Sequence, residues 1–506
     1  MRKFFKNHND FLLVLCLAAT ALALQFIFLN PPVLSDQLNY FFLASRFPDL
    51  PNPPDHQSMR IGLIIPLAGL IRIFGYTETA YYALPFISAA TFTIAVYALA
   101  RKYFSRFTAF LSALLPLFMP YMLSYAGFII PDIFATGLFT FSAVFLIGLR
   151  SNKDQRKSAR RIVAVFGAGV LMGCAYLMRE YLMAFILVLL FIFWAYRLPF
   201  KELITFGLGL VLVAGFEFLF NYQAYGNALI RFMAASPRLT EGNFSTDLVR
   251  IATYFAAMLM NHSGHGYLLL PVFSATGAFF YFKRGESKKL IFILWLAVVY
   301  LFLTCVGALP VIFSWTDRVL LRINKFRYWI PLLPPLTIGG VAGMGELLGA
   351  LPARFVPGNT AKRLIITAII VLMVIPGVFG VYGYKTFLHS GNTHYLEFRD
   401  FMRSEGGVWE AVWVNRDSFR ALERVIPLYL HDLFGRPVWE GKICYLNTGG
   451  EYIAPEKLHS GLLIVDTMYM DPNLFHVPRY LADPPAEWEL VFQSENGVLR
   501  AYDVKD

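Results

Sequence analysis

Charge is what this chain of 506 residues is short of: Asp, Glu, Lys and Arg make up only 15% of it. A soluble domain carries about 25%. Set against a hydrophobic share of 57%, the deficit excludes an ordinary soluble globule. Cysteine is scarce too. Cys16, Cys174 and Cys305 lie in hydrophobic runs, Cys444 stands alone in the tail, and there are no others. Such spacing excludes a cysteine metal site and argues against a disulfide framework. No periodic repeat or low-complexity tract is present.

What the chain does have is long apolar blocks, with 49 Phe and 27 Tyr among its residues. A helix needs about 20 apolar residues to cross a bilayer. Eleven spans are expected: 11–29, 82–100, 107–126, 132–149, 162–178, 182–196, 203–220, 267–282, 289–308, 329–350 and 364–384. The first is too long for a signal-peptide core and lacks a clear small-residue cleavage site, so it is expected to be a retained helix.

The net charge of +11 is unevenly spread: residues 1–384 hold 32 Lys+Arg and 15 Asp+Glu, whereas 385–506 hold 12 and 18. The surplus is therefore in the membrane part and does not point to nucleic acid. Six short loops ("MRKFFK", "RKYFSR", "RSNKDQRKSARR", "YRLPFK", "KRGESKK", "PARFVPGNTAKR") carry 21 of those cations, and the alternate loops carry 11. The positive-inside rule then places the N-terminus in the cytoplasm, and an odd number of spans places the tail outside. The expected organisation is an all-α transmembrane domain, 1–384, with outer-face loops 30–81, 221–266 and 309–328. An extracytoplasmic α/β domain, 385–506, follows it.

In that tail, "AVWVNRD" and "GLLIVDTMYM" read as short buried strands. "SFRALERVIPLYLHDLFG" reads as an amphipathic helix stopped at Gly435. "WELVFQSENGVLRAYDV" reads as a hairpin around Asn-Gly. In the first long loop, "LIRIFGYTETAYYAL" has the mix expected of an interfacial helix.

Charges at a bilayer are costly and tend to face a cavity or a partner. Asp36 in "SDQLNYFF" follows the first span, with Tyr40 one turn on. Asp132 opens the fourth span after Pro131. Arg60 is in the first long loop, Arg179 and Glu180 end the fifth span, and "INKFRY" brings Lys325, Arg327 and Tyr328 to the tenth. Topology sends all of them to one side of the membrane. Each has a plainer reading: Asp36 and Asp132 as helix caps, Arg179 with Glu180 as a local pair, Arg60 as a solvated loop residue, Arg327 with Tyr328 as an interface anchor. Together they suit a different task. A carboxylate can take a proton from a hydroxyl, and several Arg or Lys can clamp a phosphate by charge-assisted hydrogen bonds. That set suggests glycosyl transfer from a lipid phosphate.

The order of these stretches resembles the GT-C membrane glycosyltransferases. The likeness is to the branch dependent on polyprenyl- or dolichyl-phosphate sugars, which includes protein O-mannosyltransferases and bacterial aminoarabinose transferases. "SDQLNYFFLASRF" is similar to its first-loop acidic motif, and "PDIFATGLFTFSAVFL" to its second acidic position. "NYQAYGNAL" and "KFRYWIPLLPPL" resemble its later elements. The resemblance implies that Asp36 deprotonates or orients the acceptor, that Asp132 supports it, and that Arg327 with Tyr328 faces the donor phosphate. Arg60, Arg179, Lys325 and Tyr40 are the further donor- or substrate-binding candidates.

It implies an inverting transfer of one sugar to a lipid, glycan or protein acceptor outside the cytoplasm, in an inner or plasma membrane. Gln37 stands where many relatives carry Glu or Asp, which weakens the case for a metal. A divalent cation shared by Asp36 and Asp132 is the one cofactor these residues suggest. The competing readings are a transporter or flippase of lipid-linked or envelope glycans and a non-catalytic GT-C-fold subunit. A transporter would carry its polar residues near the midplane, where Glu217 is the one exception noted.

Overall fold

Apolar segments with no water around them must satisfy their own backbone, and a helix does so within one stretch of chain. The computed structural model follows that demand. It describes residues 8–32, 34–149, 159–234, 240–241, 253, 265–303, 318–319, 326–352, 356, 358–416, 422–432, 435–448, 451–467 and 478–505. Two compact units emerge. The first is Met1–Leu29, Pro51–Leu63 and Pro85–Tyr384; the second is Asn30–Leu50, Ile64–Leu84 and Lys385–Asp506.

The helices begin with α1 (His8–Ile27), α2 (Asp36–Ser45), α3 (Ile61–Phe74), α4 (Glu78–Arg101), α5 (Arg106–Leu114), α6 (Pro120–Ser124), α7 (Pro131–Gly148) and α8 (Ala159–Met178). They continue with α9 (Ile186–Ala195), α10 (Phe200–Tyr225), α11 (Ile230–Ala234), α12 (Leu269–Lys283), α13 (Ile291–Leu301), α14 (Leu333–Ala350), α15 (Gly358–Asn392) and α16 (His394–Glu405). Among the described residues, seven helical stretches are long and apolar enough to cross a membrane: α1, α4, α7, α8, α10, 327–350 and 358–383.

Of the other four expected spans, two are broken and one is shorter, and the end of 289–308 lies outside the described residues. Span 107–126 is interrupted at Pro116 and Pro120, where a 3-10 turn (Leu115–Phe118) separates α5 from α6. Proline removes a backbone donor and clashes with the preceding turn. Span 182–196 opens with the 3-10 turn Glu180–Phe185 before α9. Helix α12 has 15 residues and α13 has 11.

In the first unit, α10 presents Phe200, Leu208, Val211, Leu212 and Leu219 outward. A soluble protein would not leave such a stripe bare; a lipid-facing helix does. Small residues set the closest crossings. A Cβ on Gly169 of α8 would run into the Phe206 carbonyl of α10, and one on Gly209 would run into the Phe166 carbonyl. Close backbone approach through small residues is how membrane helices pack.

The second unit is built on a five-stranded sheet. Numbering follows two short strands of the first unit, β1 (Thr240–Glu241) and β2 (Arg318–Val319). The tail then gives β3 (Ala411–Val414), β4 (Lys442–Tyr445), β5 (Asn447–Thr448), β6 (Glu451–Tyr452), β7 (Gly461–Asp466), β8 (Glu489–Gln493) and β9 (Leu499–Val504). The order is β4-β3-β7-β9-β8. β3 runs parallel to β4 and β7, and β9 antiparallel to β7 and β8. Trp413, Leu463, Val465, Trp488 and Tyr502 fill its core.

The expected strands and hairpin are present, with Gly497 at φ 69° in the turn. The expected long helix over 418–435 is not. Within the described part of that stretch there is a 3-10 turn, Leu422–Arg424, and a four-residue helix, Ile426–Tyr429. Pro427 sits in the first turn of the latter and cannot donate to a helix arriving from before it.

Segments 30–50 and 64–84 pack in this unit. Arg424 Nη1 donates to Asn39 Oδ1 at 2.7 Å, and Tyr76 Oη donates to the Arg424 carbonyl at 2.8 Å. Tyr429 Oη donates to the Pro32 carbonyl at 2.9 Å, and the Phe41 and Tyr76 rings lie 4.7 Å apart.

Candidate active site

Helices α7 and α8 pack antiparallel, so the start of one lies beside the end of the other. Pro131 occupies the first position of α7, and Asp132 follows it in the first turn. The Asp132 carboxylate does not cap the helix. It accepts from Arg179 Nη2 at 2.6 Å and from Tyr181 Oη at 2.9 Å. Asp132 and Arg179 are both fully buried. A buried pair of this kind holds only where geometry and further bonds replace lost water. Burial weakens the hold of Arg179 on its proton, but Asp132 outweighs it and the guanidinium stays firmly charged.

Tyr328, in the 3-10 turn Phe326–Leu332, completes the setting. Arg179 Cζ lies 5.5 Å from its ring centroid, Arg327 Cζ lies 5.6 Å from it, and the Tyr181 ring is at 5.8 Å. Guanidinium groups over aromatic faces are attracted by the ring quadrupole.

Arg60 arrives from the segment before α3. Gly62 explains how: a Cβ there would lie 2.6 Å from Leu177 Cβ and 2.9 Å from the Leu177 carbonyl carbon. Only glycine lets this first turn of α3 lie against the end of α8. Arg60 is buried there within the electrostatic reach of Arg179, Glu180, Asp132 and Arg327. Burial first, then the like charge of Arg179, push its pKa down to about 9. It remains a cation at neutral pH.

Glu180 forms its ion pair with a different residue from its neighbour Arg179. Its partner is Arg231 of α11, at 3.3 Å, which also forms a salt bridge with Glu217 of α10. Arg231 Nη2 donates to the Tyr176 and Leu177 carbonyls at 3.2 and 3.4 Å, satisfying the open end of α8 as a basic side chain does at a helix C-terminus. Its guanidinium lies 4.7 Å from the Tyr176 ring centroid. The Glu180 side chain keeps 45% of its surface accessible. Burial raises its pKa, but Arg60, Arg231 and Arg179 outweigh that and hold it at about 2.

Four guanidiniums, Arg60, Arg179, Arg231 and Arg327, thus meet three carboxylates, Asp132, Glu180 and Glu217. The surplus is one positive charge, in a wall of tyrosines at one end of the bundle. Such a site can receive a phosphate.

The structure brings together Asp132, Arg60, Arg179, Arg327 and Tyr328 of the residues singled out by sequence. The local Arg179–Glu180 pair is replaced by two separate partnerships. Asp36 and Tyr40 belong to the second unit. Asp36 opens α2 behind Ser35, so it lies in the first helical turn and is not the cap. It is half-buried and Tyr40 is buried. Lys325 lies outside the described residues.

Tyr181, Tyr176 and Arg231 were not anticipated. Arg231 had a signal, being a lone cation in the apolar run after "NYQAYGN". The tyrosines had none, since aromatic residues are everywhere in this chain. Both Asp132 oxygens are engaged by Arg179 and Tyr181, a poor setting for a cation, which needs free oxygen pairs. Among the described residues no three His, Cys, Asp or Glu side chains gather at a metal-binding distance.

Residues 64–219, less than half of the chain, match the family of dolichyl-phosphate-mannose-protein mannosyltransferases. No curated protein matches the sequence. The structure is similar to that of ArnT from Cupriavidus metallidurans in the apo state, with a TM-score of 0.57, 14% identity and coverage of 96% of this chain and 97% of that one. The chain has the GT-C glycosyltransferase fold.

The same fold is found in ArnT bound to undecaprenyl phosphate, at a TM-score of 0.56 and 13% identity over 96% of this chain and 97% of that one. The oligosaccharyltransferase of Archaeoglobus fulgidus in the apo form matches at a TM-score of 0.51 and 13% identity, over 97% of this chain and 74% of that one. With its apolar helices, this GT-C chain is a multi-pass membrane protein.

Proposed function

We propose that the protein is a glycosyltransferase. It moves a single sugar from a polyprenyl-phosphate donor to a hydroxyl of a lipid, glycan or protein acceptor. The observation that carries this reading is the gathering of Arg60, Arg179 and Arg327 around the Asp132–Tyr181–Tyr328 frame, with a net positive charge. The GT-C fold, found also in a protein solved with undecaprenyl phosphate, supports it.

In this reading the acceptor hydroxyl gives its proton to Asp36. Its oxygen attacks the anomeric carbon from the side opposite the phosphate, and the bond from that carbon to the phosphate oxygen breaks. The electron pair leaves with the polyprenyl phosphate, and the anomeric configuration inverts. Arg60, Arg179, Lys325 and Arg327 take up the charge that develops on the leaving phosphate, which is often the largest catalytic term. Tyr328 orients Arg179 and Arg327. Asp132 acts through Arg179, as a positioning residue. Tyr40, one turn on from Asp36, contributes to binding the substrate.

The distribution of Lys and Arg supports a cytoplasmic N-terminus, an outer-face site in an inner or plasma membrane, and an extracytoplasmic domain over 385–506. The test is donor turnover. The protein in nanodiscs is given labelled polyprenyl-phosphate sugars and a membrane extract as acceptor. Release of polyprenyl phosphate by wild type and not by Asp36→Asn is expected. Equal release by both would remove Asp36 from the chemistry.

A further inference from the structure

The second unit has a cavity of its own, of about 710 Å³, lined by Trp409, Glu410, Trp439, Glu440 and Lys442 and edged by glycines. That volume is in the range of small-ligand sites, roughly 300–1,000 Å³. It lies where the chain enters β3 and β4, two neighbouring parallel strands, and Lys442 N donates to the Glu410 carbonyl at 2.8 Å. We infer that this groove binds a neutral saccharide, the half-buried Trp409 indole giving it its apolar surface, backed by the buried Trp439, and the two carboxylates taking sugar hydroxyls.

The indoles are fixed. Trp439 Nε1 donates to the Trp409 carbonyl at 2.9 Å, and Trp409 Nε1 donates to Asp503 Oδ1 at 2.8 Å. Trp439 is wedged between Gly406 and Gly441. A Cβ on Gly406 would lie 3.2 Å from Trp439 Cδ1, and one on Gly441 would collide with the ring. Trp409 packs on Phe401 at 5.6 Å. Both indole N–H groups are spent inside the fold; Trp439 is buried and braces the groove, and the half-buried Trp409 offers it carbon surface and no donor.

Polar recognition falls to Glu410, Glu440 and Lys442, all exposed. Two acids against one base give a net charge of −1, which disfavours a phosphate or another anion. Sugars combine a C–H face, which packs on an aromatic ring, with hydroxyl donors that suit carboxylates. Neither of the indoles nor either carboxylate takes part in the proposed transfer, so the groove is an independent site.

The test uses the full-length protein in nanodiscs and a panel of end-labelled neutral oligosaccharides of glucose, galactose, mannose and N-acetylglucosamine. Wild type should bind at least one. Glu410→Gln with Glu440→Gln, at exposed positions that leave the fold intact, should weaken it by about tenfold or more. Asp36→Asn should bind as wild type does, which separates this site from the transfer reaction. Trp409→Ala is less informative, because its packing on Phe401 goes with it. Absence of binding to every sugar, or equal binding by the double variant, would overturn the inference.

Discussion

Arg179 Nη2 lies 2.6 Å from Asp132 Oδ2, and neither side chain is reached by water. This ion pair joins the first turn of α7 to the end of α8. Removing one partner leaves a buried charge uncompensated, which costs about 3–5 kcal/mol. Asp132→Ala and Arg179→Met should each lower the melting temperature in detergent and abolish turnover. The double variant Asp132→Asn with Arg179→Gln should recover much of the stability and none of the turnover. Thermal melts and donor-release assays on the three proteins check this. Recovery of turnover with stability would make the pair purely structural.

Gly62, in the first turn of α3, lets the chain that carries Arg60 lie against Leu177. Gly62→Ala should push residues 60–63 off Leu177 and displace Arg60. A displacement of about 1 Å can reduce a rate on the order of 100-fold. Turnover of Gly62→Ala should fall far more than its melting temperature does. A comparable loss in both would show that the glycine serves packing alone.

Much of this was legible beforehand. Apolar runs mark the seven long helices among the described residues, because a bilayer leaves the backbone no other partner. The strands of the tail show as short β-branched and aromatic runs, and the Asn-Gly turn fixes β8 against β9. The site's cations and carboxylates were singled out from the sequence, and of these Asp132, Arg60, Arg179 and Arg327 come together while Asp36 belongs to the other unit. Which group bonds which was not legible. Arg179 and Glu180 are adjacent in sequence, yet the chain turns between them and gives them to different helices. Tyr181 is one aromatic among many, and nothing local marks it as a partner of Asp132. Pro427 was a local signal that should have broken the expected helix over 418–435.

The pH response of Arg60 can be read through a lysine. Burial and neighbouring cations lower the pKa at this position, to about 9 for the arginine. A lysine starts at about 10.4, so the same surroundings bring it to neutrality near or below physiological pH. A cation with a lowered pKa is charged at low pH and loses its charge as pH rises. Arg60→Lys should therefore bind polyprenyl phosphate about tenfold less tightly than wild type at pH 8.5 and approach it at pH 6. Titrations at both pH values check this. An equal deficit at each would mean that shape, and not charge, is lost.

In the proposed function, the arginine cluster grips a lipid-linked phosphate. The most direct test of that grip is binding of labelled polyprenyl phosphate to the purified protein in nanodiscs, wild type against Arg60→Gln and Arg327→Gln. Saturable binding by wild type, weakened by at least about tenfold in each variant, is the predicted result. Binding that is absent in wild type, or unchanged in both variants, would contradict it.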